Sequence, residues 1–296
     1  MSEDDSLAVI TSAMDLGMRY LDTADAYGSG KVESLIGKAI VGRRRDVTIA
    51  TKVGLVDGGA RGVSNDRDYL RAAVEASLSR LGTDNIDLLY LHRIDPTVSI
   101  EKTVEVLGGL VQDGLVGSVG LSEVTSGEIR RAISVYPIAA VQSEWSVWSR
   151  DVEHHIVPAC AAAGIGFVAS SPLGRGFLAG RTAAPPAGDH RNRVPRLSKD
   201  HREQNLAVAG ELAQIAHKEG ITRAQLALVW LRHAGKRAGV NLLAIPGAHS
   251  TTQLQENASS AAQIATMDSL DALDRLAERA SGHRGNVQWL SLGREG

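Results

Sequence analysis

Two rhythms of apolar residues alternate along this chain. Leu7, Ile10, Thr11 and Met14 keep the spacing of one helical face, and Gly17 stands where such a helix would stop before the apolar run Met18 to Asp22. Val32 to Ile40 predicts a second helix and Val47 to Lys52 a β-branched strand. Leu70, Ala73, Val74, Ser77, Leu78 and Leu81 mark a third helix closed by Gly82, and Ile86 to His92 is the next strand-like run. The pattern repeats with a helix through Ile100, Val104, Leu107, Val111 and Leu115, then a strand from Val116 to Ser122. Thr125 and Glu128 predict a capping box opening a fifth helix. Strand Ile138 to Ser143, a helix near His155 to Ala163 and strand Ile165 to Ser170 follow. After two helices, about Leu206 to Glu219 and Thr222 to His233, come strand Asn241 to Ile245, a Pro246-Gly247 turn, and helices from about Ser250 and from Met267 to Arg279.

Seven strand-like runs, each with a helix after it, imply an α/β fold with a parallel sheet and right-handed crossovers. A TIM barrel, taken as one domain over residues 1–296, suits that order. A barrel has eight strands, so the missing one is expected ahead of the opening helix, and either the start is truncated or another segment closes the barrel. One stretch breaks the alternation: Arg181 to Gln204 carries Pro185-Pro186, Gly188 and a cluster of Arg and His. A loop of that length serves as a lid or binding loop, and a solvated insertion fits its composition equally well.

Composition narrows the partners. A hydrophobic content of 43% supplies a core, and a net charge of -2 gives no electrostatic footprint for nucleic acid. No basic helix points to a membrane surface, and no apolar run reaches the roughly 18 residues of a membrane span. Small molecules are the expected partners. The acidic start Met-Ser-Glu-Asp-Asp-Ser lacks a basic targeting region, and the lone Cys160 excludes an intramolecular disulfide framework. A cytoplasmic protein with a buried structural thiol is expected.

Three consecutive strand-like runs end in ionisable residues, Asp22, Lys52 and His92, and Tyr27 follows the first of them on a loop closed by Gly28. Parallel neighbours would bring the four side chains together. An ammonium beside a phenol favours the phenolate, and a carboxylate holds that ammonium charged and oriented. The set lacks a nucleophile paired with a base, which argues against acyl transfer, and lacks clustered metal ligands. It suits proton donation to a carbonyl oxygen while hydride reaches the carbon, and hydride requires a cofactor. Each residue also has a bland reading: Asp22 as a cap, Lys52 and His92 as solvated strand ends, Tyr27 as a turn aromatic. Four such groups at corresponding strand ends argue against coincidence.

The segments Asp22-Thr-Ala-Asp-Ala-Tyr-Gly28, Ala50-Thr-Lys52, Tyr90-Leu-His-Arg93, Gly120-Leu-Ser-Glu123, Val141-Gln-Ser-Glu144, Ser171-Pro-Leu-Gly-Arg-Gly-Phe177 and Ile245-Pro-Gly247 resemble the signature segments of the aldo-keto reductases. Glu256-Asn257 and the loop Asp189 to Arg196 extend the likeness through nearly the whole chain. The resemblance implies a (β/α)8 barrel and NADP(H)-linked reduction of aldehydes or ketones. It implies Tyr27 as general acid, Lys52 as its activating cation, Asp22 as support for Lys52, and His92 as the group orienting the carbonyl. Ser122 and Gln142 match binders of the nicotinamide carboxamide, Leu173, Gly174 and Arg175 the turn beside the pyrophosphate, and Ser250, Glu256 and Asn257 the adenosine end. Ser250 and Gln253 read equally as a capping box.

Against that family pattern, the usual N-terminal hairpin and first strand are absent. Ser170 stands where a tyrosine commonly stacks on the nicotinamide, and Glu123 where asparagine is common. Trp145 and Trp148 are candidate ring or substrate contacts, with a structural role at the barrel rim favoured. His249 and Gln253 occupy positions that usually carry cations for the 2′-phosphate, so preference for NADPH over NADH should shrink. NADP(H) is still expected ahead of NAD(H), no metal is expected, and a small carbonyl compound is the expected substrate. A non-catalytic cofactor-binding or regulatory barrel is the alternative, and the intact tetrad speaks against it.

Overall fold

The computed structural model describes residues 1–285. They divide into two compact units, Met1–Gln142 with Ala248–Leu254, and Ser143–Gly247 with the residues from Gln255 on.

The first unit alternates helix and strand as the sequence predicts: α1 (Glu3–Asp15), β1 (Tyr20–Asp22), α2 (Lys31–Ala39), β2 (Thr48–Val53), α3 (Arg67–Leu81), β3 (Ile86–Leu91), α4 (Ile100–Gln112), β4 (Val116–Ser122), α5 (Ser126–Ile133) and β5 (Ile138–Glu144) as far as Gln142. Neighbouring strands are parallel throughout, with Asp22 opposite Ala50, Lys52 opposite Tyr90, Tyr90 opposite Gly120, and Ser122 opposite Gln142. Since side chains alternate between faces, Tyr20, Asp22, Lys52, Tyr90, Gly120 and Ser122 share one face of this sheet. The strands are covered on both sides, so β2 is buried without a break from Ile49 to Val53, polar Thr51 and Lys52 included.

Helix ends follow local chemistry. Ser2 and Asp5 form a reciprocal capping box at 3.1 Å each way, which starts α1 at Glu3, well before its first apolar position. The helix stops where Gly17, at φ +83°, lets its own N–H reach Met14 and that of Met18 reach Ala13. That closure consumes Met18, and β1 is therefore shorter than the run Met18 to Asp22. Thr125 and Glu128 make the predicted box at 3.1 and 2.7 Å, and Gly82 closes α3 in the left-handed region.

One buried carboxylate ties α2, β2 and α3 together. Glu33 is fully buried, accepts from Thr51 Oγ1 at 2.6 Å, and pairs with Arg80 Nε at 2.6 Å. Arg80 in turn lies under Gly30, where a Cβ would stand 2.5 Å from its Cδ. The loop between β1 and α2 is thus clamped from below.

In the second unit β6 (Gly166–Ser170) and β7 (Leu242–Ile245) run parallel, Ser170 opposite Ile245, with α6 (Ile156–Ala163), α7 (Lys199–Lys218), α8 (Arg223–Arg237) and α10 (Met267–Ala277) around them. Helix α9 (Thr251–Ser259) begins in the first unit and ends in the second. The predicted cap of α8 is present, Gln225 N–H to Thr222 Oγ1 at 3.2 Å and Thr222 N–H to Gln225 Oε1 at 2.9 Å. Asp274 gathers Trp230 Nε1, Arg150 and Arg237 at 2.7 to 3.0 Å. The long loop is shorter than the sequence suggests, because two single-turn helices, His190–Arg193 and Pro195–Leu197, interrupt it and α7 starts at Lys199. The first turn of α7, Lys-Asp-His-Arg, is polar on every side, so apolar spacing cannot mark it. Cys160 is buried, its thiol pushed up to about 12 by burial, as expected of a structural cysteine. Among the described residues no helix is long and apolar enough to cross a membrane.

Replacing Glu33 by Gln removes the charge at the buried end of the pair and leaves Arg80, 30% exposed, to water, so Glu33→Gln is expected to destabilise by about 1–2 kcal/mol. A urea melt that shows a loss of less than about 0.5 kcal/mol would contradict the clamp.

Candidate active site

Asp22 and Lys52 end adjacent strands and meet. Lys52 Nζ donates to Asp22 Oδ1 at 2.5 Å and to the Thr23 carbonyl at 2.7 Å, with 1% of its side chain exposed. The other oxygen of Asp22 accepts from Gln142 Nε2 at 2.7 Å. Tyr27 stands over this pair, its ring centroid 5.0 Å from Lys52 Nζ and 6.0 Å from the His92 ring, edge to face. The phenol is 40% exposed while Lys52 and His92 are buried, so it is the open end of a closed cluster. The first unit therefore brings all four expected catalytic residues together.

The environment sets the charge on His92. Burial, then the positive charges of Arg93 and Lys52, holds its imidazole well below the ordinary histidine range, and it is neutral at pH 7. Its Nδ1 is buried with no protein group in hydrogen-bond reach. Arg93 donates to the His92 carbonyl at 2.6 Å and to Ser122 Oγ at 3.2 Å, so the end of β4 is tied to the end of β3. Glu123 follows in the left-handed region at φ +53°, its N–H held by the Gln142 carbonyl at 2.9 Å. A glutamate there carries backbone strain that glycine or asparagine would largely avoid.

Sequence reasoning missed Asp25, Glu33 and Tyr90. Asp25 lies within the Tyr27 loop, and its Oδ1 is buried without a hydrogen-bond partner. Burial and the charge of Glu33 push its carboxyl up to about 6, against the pull of the Ala26 N–H, Arg80 and Lys52. The only available signal was an extra carboxylate inside the Asp22 to Gly28 segment. Tyr90 shares a 3.0 Å hydrogen bond with Tyr20. Both phenols are pushed well above the ordinary tyrosine range, Tyr20 by burial and Asp22, Tyr90 by burial and Tyr20, and stay protonated.

The sequence matches the Aldo/keto reductase family over residues 1–278. The chain belongs to the aldo/keto reductases. It is thereby an oxidoreductase of the carbonyl class, built on the (β/α)8 barrel plan, with seven strands among the described residues. Solved structures of the family resemble it closely in fold. The glycerol dehydrogenase of Gluconobacter oxydans matches with a TM-score of 0.83 at 26% identity, over 94% of this chain and 86% of that one. The holo form of a Bacillus halodurans aldo-keto reductase matches at 0.78 and 28% identity, over 95% and 90%. A Klebsiella pneumoniae aldo/keto reductase in complex with NADP and acetate matches at 0.73 and 26% identity, over 95% and 88%.

The remaining expected cofactor residues of this aldo/keto reductase fall in two groups. In the first unit, Ser250 Oγ accepts from Gln253 N–H at 3.2 Å and Gln253 Oε1 accepts from His249 N–H at 2.8 Å. These two side chains are engaged at the start of α9, and the capping reading of that pair is present in the structure. In the second unit, Ser170 ends β6 half-buried, and Leu173, Gly174 and Arg175 form the turn beyond it. Arg175 is left-handed at φ +56° and pairs with the buried Glu144 at 2.8 Å. Gly174 has no room for a side chain, since a Cβ would stand 2.6 Å from the Trp148 ring. Asn257 is buried, and both its carbonyl and that of Glu256 accept from serine hydroxyls.

Trp145 and Trp148 are both buried among packing partners. Trp145 donates to Glu153 at 2.8 Å and meets Phe167 edge to face, while Trp148 stacks on Phe177 under the Arg196 guanidinium. These are packing contacts of the kind a structural role entails, and Trp148 Nε1 is buried without a hydrogen-bond partner.

Asp25 provides a test of the site's electrostatics. Its carboxyl is raised in the folded state, so folding favours the protonated form. That contribution is complete below about pH 4 and lost as pH rises through about 6. Asp25→Asn should therefore stabilise the protein at pH 7.5, by on the order of 1–2 kcal/mol after allowing for partial solvent access, with the gain shrinking toward pH 4.5. Thermal melts of both proteins at the two pH values check this, and an equal gain at both would refute it.

Proposed function

We propose that this aldo/keto reductase reduces small or aromatic aldehydes and ketones with a nicotinamide cofactor, Tyr27 serving as general acid. The observation that carries the reading is an exposed phenol set over a buried, carboxylate-held ammonium, with a neutral histidine beside it. A phenol that gives up its proton becomes an anion, and the Lys52 ammonium, 5.0 Å from the ring centroid, would stabilise that anion while Asp22 keeps the ammonium in position. A neutral imidazole retains one N–H and can hold a carbonyl oxygen in line with the phenol without repelling Lys52.

The bound cofactor supplies hydride to the carbonyl carbon. Ser122 and Gln142, register partners on adjacent strands, offer the paired donors and acceptors that a carboxamide needs. Leu173, Gly174 and Arg175 would lie beside its phosphates, and Glu256 and Asn257 at its adenosine end. Of the five non-glycine residues with positive φ among the described residues, Glu123, Ser171 and Arg175 fall at or beside these positions, as strained backbone does at ligand sites. The NADP complex of the Klebsiella relative supports NADP(H) as the cofactor. His249 and Gln253 bring no fixed positive charge to the start of α9, so the margin over NAD(H) should be narrow.

Aldehyde-dependent NADPH oxidation by the purified protein tests the assignment. Tyr27→Phe is expected to lower kcat by about 10²–10⁴-fold while NADPH still quenches tryptophan fluorescence with an unchanged midpoint. If wild type and Tyr27→Phe are both inactive yet bind NADPH, the chain is a cofactor-binding barrel without catalysis. With NADH in place of NADPH, kcat/KM should fall by less than about tenfold, and a loss of a thousandfold would mean that a fixed cation clasps the 2′-phosphate after all.

A further inference from the structure

Ser122 and Gln142, register partners near the ends of β4 and β5, are 4% and 3% exposed, and each has its hydrogen-bonding role narrowed by a neighbour in the same unit. The amide of Gln142 is held by Asp22. Its Nε2 donates to Asp22 Oδ2 at 2.7 Å, while Asp22 Oδ1 holds Lys52. A glutamine side chain has two similar ends, but only the NH2 end satisfies a carboxylate. Turning the amide over would set its carbonyl oxygen against Asp22, so the end Gln142 offers away from Asp22 is the acceptor Oε1.

Ser122 is held by Arg93. The Nη1 group of Arg93 donates to the His92 carbonyl at 2.6 Å and to Ser122 Oγ at 3.2 Å. A guanidinium carries donors and no acceptor, so in this contact the serine oxygen accepts and its single proton is left for another group. Among the described residues no acceptor takes that proton. Arg93 is itself anchored, because the buried Asn65 donates from Nδ2 to the Arg93 carbonyl at 3.1 Å and accepts from the Asp95 N–H at 2.7 Å. The strand end that carries Ser122 is packed as tightly. Two residues earlier Gly120 seats the ring of Tyr90, where a Cβ would stand 2.5 Å from two ring carbons. Glu123, the next residue, adds an acceptor when ionised and no donor.

Resting on the reading that Ser122 and Gln142 bind the nicotinamide carboxamide, we propose that Arg93 and Asp22 set the polarity of that subsite. Arg93 is a positioning residue that makes Ser122 the donor to the carboxamide oxygen, and Asp22 makes Gln142 the acceptor from the carboxamide NH2. The subsite then reads both ends of the group. A ring substituent lacking either end leaves a buried polar group of the protein unpaired and binds more weakly.

The test compares three probes by titration calorimetry on the full chain: NADPH, its acetylpyridine analogue, in which a methyl replaces the NH2, and its thionicotinamide analogue, in which sulfur, a weak acceptor, replaces the oxygen. Wild type is expected to bind each analogue about tenfold or more weaker than NADPH. Gln142→Leu should bring the acetylpyridine analogue to within about twofold of NADPH while the thionicotinamide preference stands. Arg93→Met should shrink the thionicotinamide preference by about threefold or more, with no further change when added to Ser122→Ala. A residue that merely steadied the fold would weaken all three probes alike and leave both ratios unchanged. Equal binding of NADPH and the acetylpyridine analogue by wild type overturns the proposal, as does a thionicotinamide ratio that survives Arg93→Met. If Arg93→Met does not fold, the two wild-type ratios and Gln142→Leu decide. A wild type that binds neither NADPH nor NADH defeats the cofactor reading and this proposal with it, whereas one that shows the expected ratios but reduces no carbonyl defeats only the tetrad reading.

Discussion

A lysine ammonium withdrawn almost wholly from water is the constraint on which the first unit depends. Taking such a charge out of water costs several kcal/mol unless an anion and further acceptors replace the solvent, and at Lys52 those are Asp22 and the Thr23 carbonyl. Satisfying that demand fixes the ends of β1 and β2 against one another. It also determines what the neighbours can be. His92, close to the same charge and equally buried, has to be neutral, and Tyr27 gains a permanent positive charge beneath it without being buried itself. The division between a dry cation and a wet phenol is a packing result before it is a chemical one.

Rule-breaking features gather where that constraint acts. Four helix N-termini carry the side-chain caps expected of them, at Ser2, Asp66, Thr125 and Thr222. Around the site, by contrast, stand an unpartnered carboxylate oxygen on Asp25, an unpartnered imidazole nitrogen on His92, and left-handed Glu123. The first two cost an unmade hydrogen bond each, and the third costs backbone strain. The polar atoms of Asp25 and His92 that no protein group engages remain open to another partner.

Much of this was legible from apolar spacing and a few end signals. The order of strands and helices, the boxes at Thr125 and Thr222, the Gly82 stop and the convergence of Asp22, Tyr27, Lys52 and His92 all follow from local pattern and parallel pairing. Other features were not legible, for identifiable reasons. The start of α7 is polar on every side, and the start of α1 depends on a serine and an aspartate three residues apart outside the apolar stripe. Glu33 and Arg80 are distant in sequence and individually ordinary on a helix surface; only the packing of α2 on α3 buries the carboxylate and pairs the two. Tyr90 looked like one more apolar residue of β3, since the spacing of a strand says which face a ring occupies and nothing about what its hydroxyl meets.

The seat at Gly120 has an evolutionary consequence. Positions 90 and 120 cannot drift separately, because any side chain at 120 collides with an aromatic ring at 90, and a smaller residue at 90 leaves an empty volume over a glycine. Among relatives the two positions should change as a pair, with an aromatic at 90 accompanied by glycine at 120 and an aliphatic residue free to accept alanine or larger. Lineages that have lost the glycine should thus have lost the aromatic ring, and the hydroxyl of Tyr20 would need another partner.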